Sequence, residues 1–201
     1  MSTETPERLK QAVEELLLSK GEAGTTLRDI TDTAGANVAA VAYHFKSKDK
    51  LIALVFGEAI DEVTNLQSER VQALPKEHTL RQLIEVWLHP LLSAAGPDDR
   101  EAKLWRIIQR GAAEKAPGLI ANITRAENPV ETTLLPLLAQ HLKHLDKDEL
   151  LFRHNAIIGG LAGLVSSPIG MALSQESAGS KSREYMIGWI IGSLEGPSTR
   201  T

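Results

Sequence analysis

Apolar residues return along this chain at intervals of three and four, not two, so the pattern predicts helices almost throughout. Leu9, Ala12, Val13, Leu16 and Leu17 make a first stripe, which Gly21 and Gly24 interrupt. Leu27, Ile30 and Ala34 make a second. Thr26 stands at its N-cap with Asp29 three residues on, in capping-box order, and Gly35 ends it. Asn37 caps a short third helix, "NVAAVAYHF", in which Val38, Val41, Ala42 and Phe45 fall at i, i+3, i+4 and i+7 and are expected to be buried. Ala39, Ala40, Tyr43 and His44 are left toward the other side. Ser47 caps a longer helix, where Ile52, Val55, Phe56, Ala59, Val63 and Leu66 keep the period.

Beyond the break at Pro75, the pattern predicts helices from about Thr79 to Ala95 and from Arg100 to Glu114. After Pro117 the chain reads as helical again, with Pro129 and Pro136 expected to start, kink or split it. A long helix follows through "LDKDELLFRHNAIIGGLAGLV". A flexible polar connection, "SQESAGSKS", leads to a last helix, "REYMIGWIIGSL". Alternating β-branched runs bounded by turns hardly occur, and no internal repeat stands out. The fold class is all-α: an N-terminal three-helix unit over residues 1–50, followed by a larger helical domain over residues 51–201. The second and third helices are separated only by "GAN", the spacing of a helix-turn-helix.

Composition narrows the function classes. The chain has 201 residues, 42% apolar and 24% charged, in the range of globular proteins. It has no cysteine, which removes disulfides, thiolate chemistry and cysteine zinc sites and favours an intracellular, cytoplasmic home. "MSTETPERLK" lacks the order of a signal peptide. From Ala156 to Ser174 no charge occurs, but the run is short for a membrane span and Pro168 lies within it, so a buried, interrupted helix is expected. Residues 1–57 hold seven basic and eight acidic side chains, a net charge of −1. Any contact with a polyanion must therefore rest on local placement, and Lys46, Lys48 and Lys50 supply it, partly offset by Asp49.

The short third helix carries the candidate chemistry. A helix that enters the major groove needs small residues where its backbone meets base edges, hydrogen-bonding side chains, and phosphate anchors at its margins. Ala39 and Ala40 can touch thymine methyls, and Asn37 can meet a base edge or cap. Tyr43 and His44 are long enough to reach phosphate oxygens. Lys48 lies in the first turn of the next helix, where free backbone N–H groups also favour an anion. Thr26 stands at the equivalent place one helix earlier, and Arg28 follows within that helix.

The stretch "TTLRDITDTAGANVAAVAYHFKSKDKLIALVF" resembles the N-terminal domain of the tetracycline-repressor (TetR) family of bacterial transcription regulators, most specifically at Tyr43–Leu51. The resemblance implies that Asn37 to His44 form a recognition helix. It implies that Tyr43, His44, Lys48 and Thr26 hold phosphates, and that Arg28, Asn37, Ala39 and Ala40 face bases. Where the family usually has alanine after the isoleucine of its second helix, this chain has Thr31, which brings a hydroxyl to the packing surface. The start is acidic where the family often has a basic arm.

The resemblance also implies a helical effector-binding and dimerisation domain, a homodimer on a palindromic double-stranded operator, repression, and release by a small molecule. Gly159, Gly160, Gly163, Gly188 and Gly192 lie inside two helices, where glycine is disfavoured by up to about 1 kcal/mol each. Close helix approach at a dimer interface, or tight packing within one chain, would explain them. Trp87, Trp105, Gln109 and His154 are candidate pocket residues. No cofactor or metal is expected. His141 and His144 share helical spacing, but "HLKHLDKDEL" lacks the general base of a zinc-protease motif. No phosphate loop, cysteine nucleophile or nucleophile-elbow serine suggests an enzyme. A helical adaptor would leave Tyr43–Lys48 unexplained.

Overall fold

The computed structural model of the protein describes residues 4–89, 99–123, 130–166 and 179–199. Among these there are ten α-helices and no strand: α1 (Glu4–Ser19), α2 (Leu27–Ala34), α3 (Val38–Phe45), α4 (Lys48–Gln72), α5 (Leu80–Trp87), α6 (Arg100–Glu114), α7 (Pro117–Ile123), α8 (Leu135–His141), α9 (Lys147–Ser166) and α10 (Gly179–Glu195). A π-helical turn, Val130–Leu134, leads into α8. No described helix is long and apolar enough to cross a membrane, and Pro168 lies outside the described residues.

The chain forms two compact units, one within residues 1–64 and 97–126, the other within 65–96 and 127–201. α4 runs from the first into the second. In the first unit the α1 stripe is wholly buried: Leu9, Ala12, Val13, Leu16 and Leu17 meet Ile30 and Ala34 of α2, Val41 of α3, Ile52 and Phe56 of α4, and Leu104 and Ile107 of α6. Glu14 is carried into this packing, where Arg100 and Lys103 of α6 meet it at 2.6 and 2.9 Å. Burial alone would push its carboxyl pKa up, but the hydrogen bonds from Arg100 and Lys103 outweigh it and hold the group below its ordinary range. Arg110 adds a hydrogen bond to the Leu18 carbonyl, one of the acceptors that the end of α1 leaves without a helical partner.

In the second unit Leu83, Ile84 and Trp87 of α5 pack with Leu138 of α8, Ile157 and Leu161 of α9, and Ile187, Ile190 and Leu194 of α10. Arg153 fastens the end of α10 by donating to the carbonyls of Ser193, Leu194 and Gly196. Glu149 accepts from Ser198 Oγ, the Thr199 N–H and Arg153, and these hydrogen bonds lower its pKa to about 2.

Several boundaries differ from the pattern. α5 is interrupted after Trp87 at Leu88, His89 is helical again, and residues 90–95 of the expected Thr79–Ala95 helix lie outside the described residues. Pro136 starts a helix, as the second residue of α8, while Pro129 lies outside the described residues. The polar connection before the last helix is shorter than expected, since Gly179 to Ser182 already belong to α10.

Candidate nucleic-acid interface

Local chemistry sets the turn between α2 and α3. Thr26 and Asp29 form a complete capping box: Thr26 Oγ1 accepts from the Asp29 N–H, and Asp29 accepts from the Thr26 N–H. Lys20 lies 2.6 Å from Asp29, and its hydrogen bond, with those from Thr26, holds the Asp29 carboxyl far below the usual range. Gly35 closes α2 in the left-handed region, φ 57° and ψ 41°, where a β-carbon would be strained. Asn37 Oδ1 then accepts from the Ala40 N–H at 2.9 Å and caps α3. One lone pair of its oxygen is thereby engaged, and the amide N–H groups remain for a base. Thr31, the residue that departs from the family pattern, is 4% exposed and donates to the Leu27 and Arg28 carbonyls, so its hydroxyl is satisfied within α2.

α3 does not bury the face expected of it. Val41 is 1% exposed and Phe45 is half-buried, but Val38 is 53% exposed and Ala42 is exposed. Ala40, expected outside, is half-buried against the core. In a helix of two turns, spacing alone does not locate the face. The first turn stands clear of the core, and only Val41, Phe45 and one side of Ala40 reach it. The exposed surface is therefore Val38, Ala39, Ala42, Tyr43 and His44, wider and more apolar than the pattern suggested. Tyr43 is 68% exposed, with its ring against His44 edge to face at 4.9 Å.

At the head of α4, Lys48 Nζ donates to the Thr25 carbonyl at 3.0 Å, which sets the ammonium beside the Thr26 cap at the start of α2. An ammonium has three N–H groups, so it can hold that carbonyl and still meet an anion. Ser47 Oγ accepts from the Lys50 N–H and caps the helix. Arg28 extends into solvent and pairs with Asp32 at 3.6 Å. Thr26, Arg28, Asn37, Ala39, Ala40, Tyr43, His44 and Lys48 thus all belong to the neighbouring beginnings of α2 and α4 and to α3. Thr25 carries no signal in the pattern. It is 1% exposed, its hydroxyl donates to the Gly21 carbonyl, and its own carbonyl positions Lys48.

The other candidates separate. Trp87 and His154 meet in the second unit, ring centroids 6.3 Å apart, and line one cavity. Trp105 and Gln109 lie on α6 in the first unit, Trp105 half-buried against its core. His141 and His144 part company: His141 meets His78 edge to face at 5.1 Å, while His144 Nε2 lies 3.1 Å from the Gly196 carbonyl. A β-carbon built on Gly159, Gly163, Gly188 or Gly192 would meet nothing within 4 Å, and on Gly160 only Trp189 at 3.3 Å. Among the described residues, close packing within the chain is seen at Gly160 and not at the other four. Phe152, Tyr185 and Trp189 on the same two helices are 72%, 76% and 51% exposed. The pattern does not single them out, although they fall at helical spacing from the glycines.

Residues 10–55 match the model of bacterial regulatory proteins, tetR family. No curated protein matches the chain. Among solved structures, a TetR family transcription regulator from Marinobacter aquaeolei VT8 is similar with a TM-score of 0.68 at 16% identity, over 95% of both chains. NalD, the secondary repressor of the MexAB-OprM multidrug efflux pump in Pseudomonas aeruginosa, is similar with a TM-score of 0.62 at 22% identity, over 96% of this chain and 98% of that one. The TetR family regulator PfmR from Thermus thermophilus gives 0.62 at 15%, over 98% and 99%. At such identities the likeness establishes the fold, and the matched segment is the one that holds α2, α3 and the head of α4. Over residues 10–55 the chain thus carries a segment of the kind found in bacterial regulatory proteins of the tetR family.

Proposed function

We propose that the protein is a cytoplasmic, DNA-binding transcriptional repressor that grips a palindromic operator as a homodimer and is released by a small-molecule effector. The observation that carries the reading is the face of α3: Ala39, Tyr43 and His44 stand exposed while Lys48 is held beside Thr26 by the Thr25 carbonyl. Small residues let a backbone approach base edges, and the flanking groups suit phosphate oxygens. In this reading Tyr43, His44, Lys48 and Thr26 hold phosphates, and Arg28, Asn37, Ala39 and Ala40 face bases.

The open glycines of α9 and α10, with Phe152, Tyr185 and Trp189 beside them, support a two-fold pairing in which aromatic side chains of one copy fill the gaps at the glycines of the other. A dimer of this kind would present two recognition helices about 34 Å apart, one turn of the duplex. Titration of an operator fragment at rising salt tests the reading. Affinity should fall steeply, and Lys48→Ala should reduce the slope of log K against log salt by about two, one for each lysine of the dimer. Binding that ignores salt, or that Lys48→Ala leaves unchanged, would remove the proposed phosphate contacts.

A further inference from the structure

Residues three or four apart are neighbours on a helix surface, so Val38 and Ala42 form one row of α3, and Ala39 and Tyr43 the row beside it. Both rows are exposed, Val38 at 53% and Tyr43 at 68%. The core takes the other side, where Val41 is 1% exposed and Ala40 and Phe45 pack half-buried. Val38 is therefore the largest aliphatic side chain that α3 presents to solvent, and it stands in the first turn, next to the Asn37 cap. It gives the fold little. A β-branched residue lowers helix propensity, and more than half of this one stays in water.

We propose that Val38, with Ala42 one turn on, reads the C5-methyl group of a thymine in each operator half-site, and that Val38 sets the base preference at that position. The inference rests on the DNA-binding reading and adds a base to it. Each base pair shows the major groove its own pattern of donors and acceptors, and the thymine methyl is the one apolar group among them. Val38, Ala39 and Ala42 offer neither donor nor acceptor, and hydrogen-bonding side chains stand only at the margins of this face, Asn37 before it and Tyr43 after it. Set against cytosine or adenine, the isopropyl group would strip water from an exocyclic amine and return no hydrogen bond. Against guanine, O6 and N7 would lose water in the same way. Against thymine the group it meets is a methyl, whose burial is favourable.

Ala40 has one side on the core, so Val38 offers the groove more aliphatic surface than either neighbouring alanine. Burial of one base methyl corresponds to about fourfold in affinity per half-site, and to about fifteenfold for the two half-sites of a dimer.

The test uses the duplex that the full chain selects from random DNA. Each thymine of one half-site, together with its two-fold mate, is replaced in turn by deoxyuridine, which keeps the O4 acceptor and the pairing and lacks only the methyl. Wild type should lose about fifteenfold at one symmetric pair of thymines. Val38→Ala should bind the unmodified duplex about as weakly as wild type binds the deoxyuridine one, and should lose little more when that methyl is removed. Selection repeated with Val38→Gln, a good helix former at an exposed site, should recover the same palindrome with the thymine preference lost at that pair, and it decides the matter if Val38→Ala fails to fold. A half-site in which no thymine is sensitive to its methyl, a methyl effect that Val38→Ala leaves intact, or an unchanged thymine preference in Val38→Gln would overturn the proposal. A palindrome that is bound in a salt-dependent way, yet is indifferent to every thymine methyl, refutes this inference and leaves the regulator reading standing. If no duplex is enriched, both fall.

Discussion

Lys46 closes α3 with φ 75° and ψ −42°, a backbone conformation that a β-carbon disfavours. Its position serves two purposes that one substitution separates. Lys46→Gly removes the strain and should raise stability by about 1 kcal/mol in urea unfolding. It also removes a cation next to the proposed phosphate contacts and should weaken operator binding. Opposite signs in the two assays are the expected outcome, and a loss of stability would show that the lysine side chain holds the turn. His154 gives a second prediction. Its imidazole pKa is lowered in the folded chain by burial, while the unfolded chain has the ordinary value near 6.5. The unfolded state therefore binds more protons as pH falls below that value, so stability is full above it and declines toward acid. His154→Leu should flatten the decline between about pH 6.5 and 5 in thermal melts. An unchanged acid limb would mean that other groups set it.

At the scale of elements, what was legible depended on how local the determinant is. The α1 stripe, the capping box at Thr26 and the left-handed glycine after α2 are set by neighbours within one turn, and each stands where the pattern put it. The bounds of α6, Arg100–Glu114, follow from Asp99 as an N-cap and the change of direction at Lys115, again local. The buried face of α3 was not legible. Eight residues contain too few repeats to orient a helix, and whether Val38 is covered depends on partners distant in sequence. The link from Lys48 to the Thr25 carbonyl spans 23 residues and leaves no periodic trace. The glycines of α9 and α10 were visible, but only the folded chain distinguishes a packed gap from an open one. That distinction makes a prediction. Phe152→Asp alters a side chain that is 72% exposed, so helicity should persist while sedimentation shifts from dimer to monomer. A variant that remains dimeric would place the interface elsewhere.

The charge of the whole chain, −4, and of its first 57 residues, −1, argues against a nucleic-acid partner until the acids are located. Glu14 is paired with Arg100 and Lys103, Asp29 with Lys20, and Glu22 accepts from the Gly118 N–H. Three of the eight acids of that segment are therefore engaged by partners, and Lys46, Lys48, Lys50 and Arg28 have Asp29, Asp32 and Asp49 nearby in sequence. A count by segment hides this, and a count by surface reveals it. With so few cations, binding should lean on Tyr43, His44 and Lys48. Tyr43→Ala should reduce operator affinity about tenfold or more, since it removes a hydrogen bond together with the ring that packs on His44. The measurement that bears most directly on the account is selection of bound sequences from random duplex DNA by the full chain. A palindrome with half-sites about one helical turn apart should emerge, and Lys48→Ala should recover the same palindrome with lower affinity. Failure of any palindromic sequence to enrich would contradict the central claim.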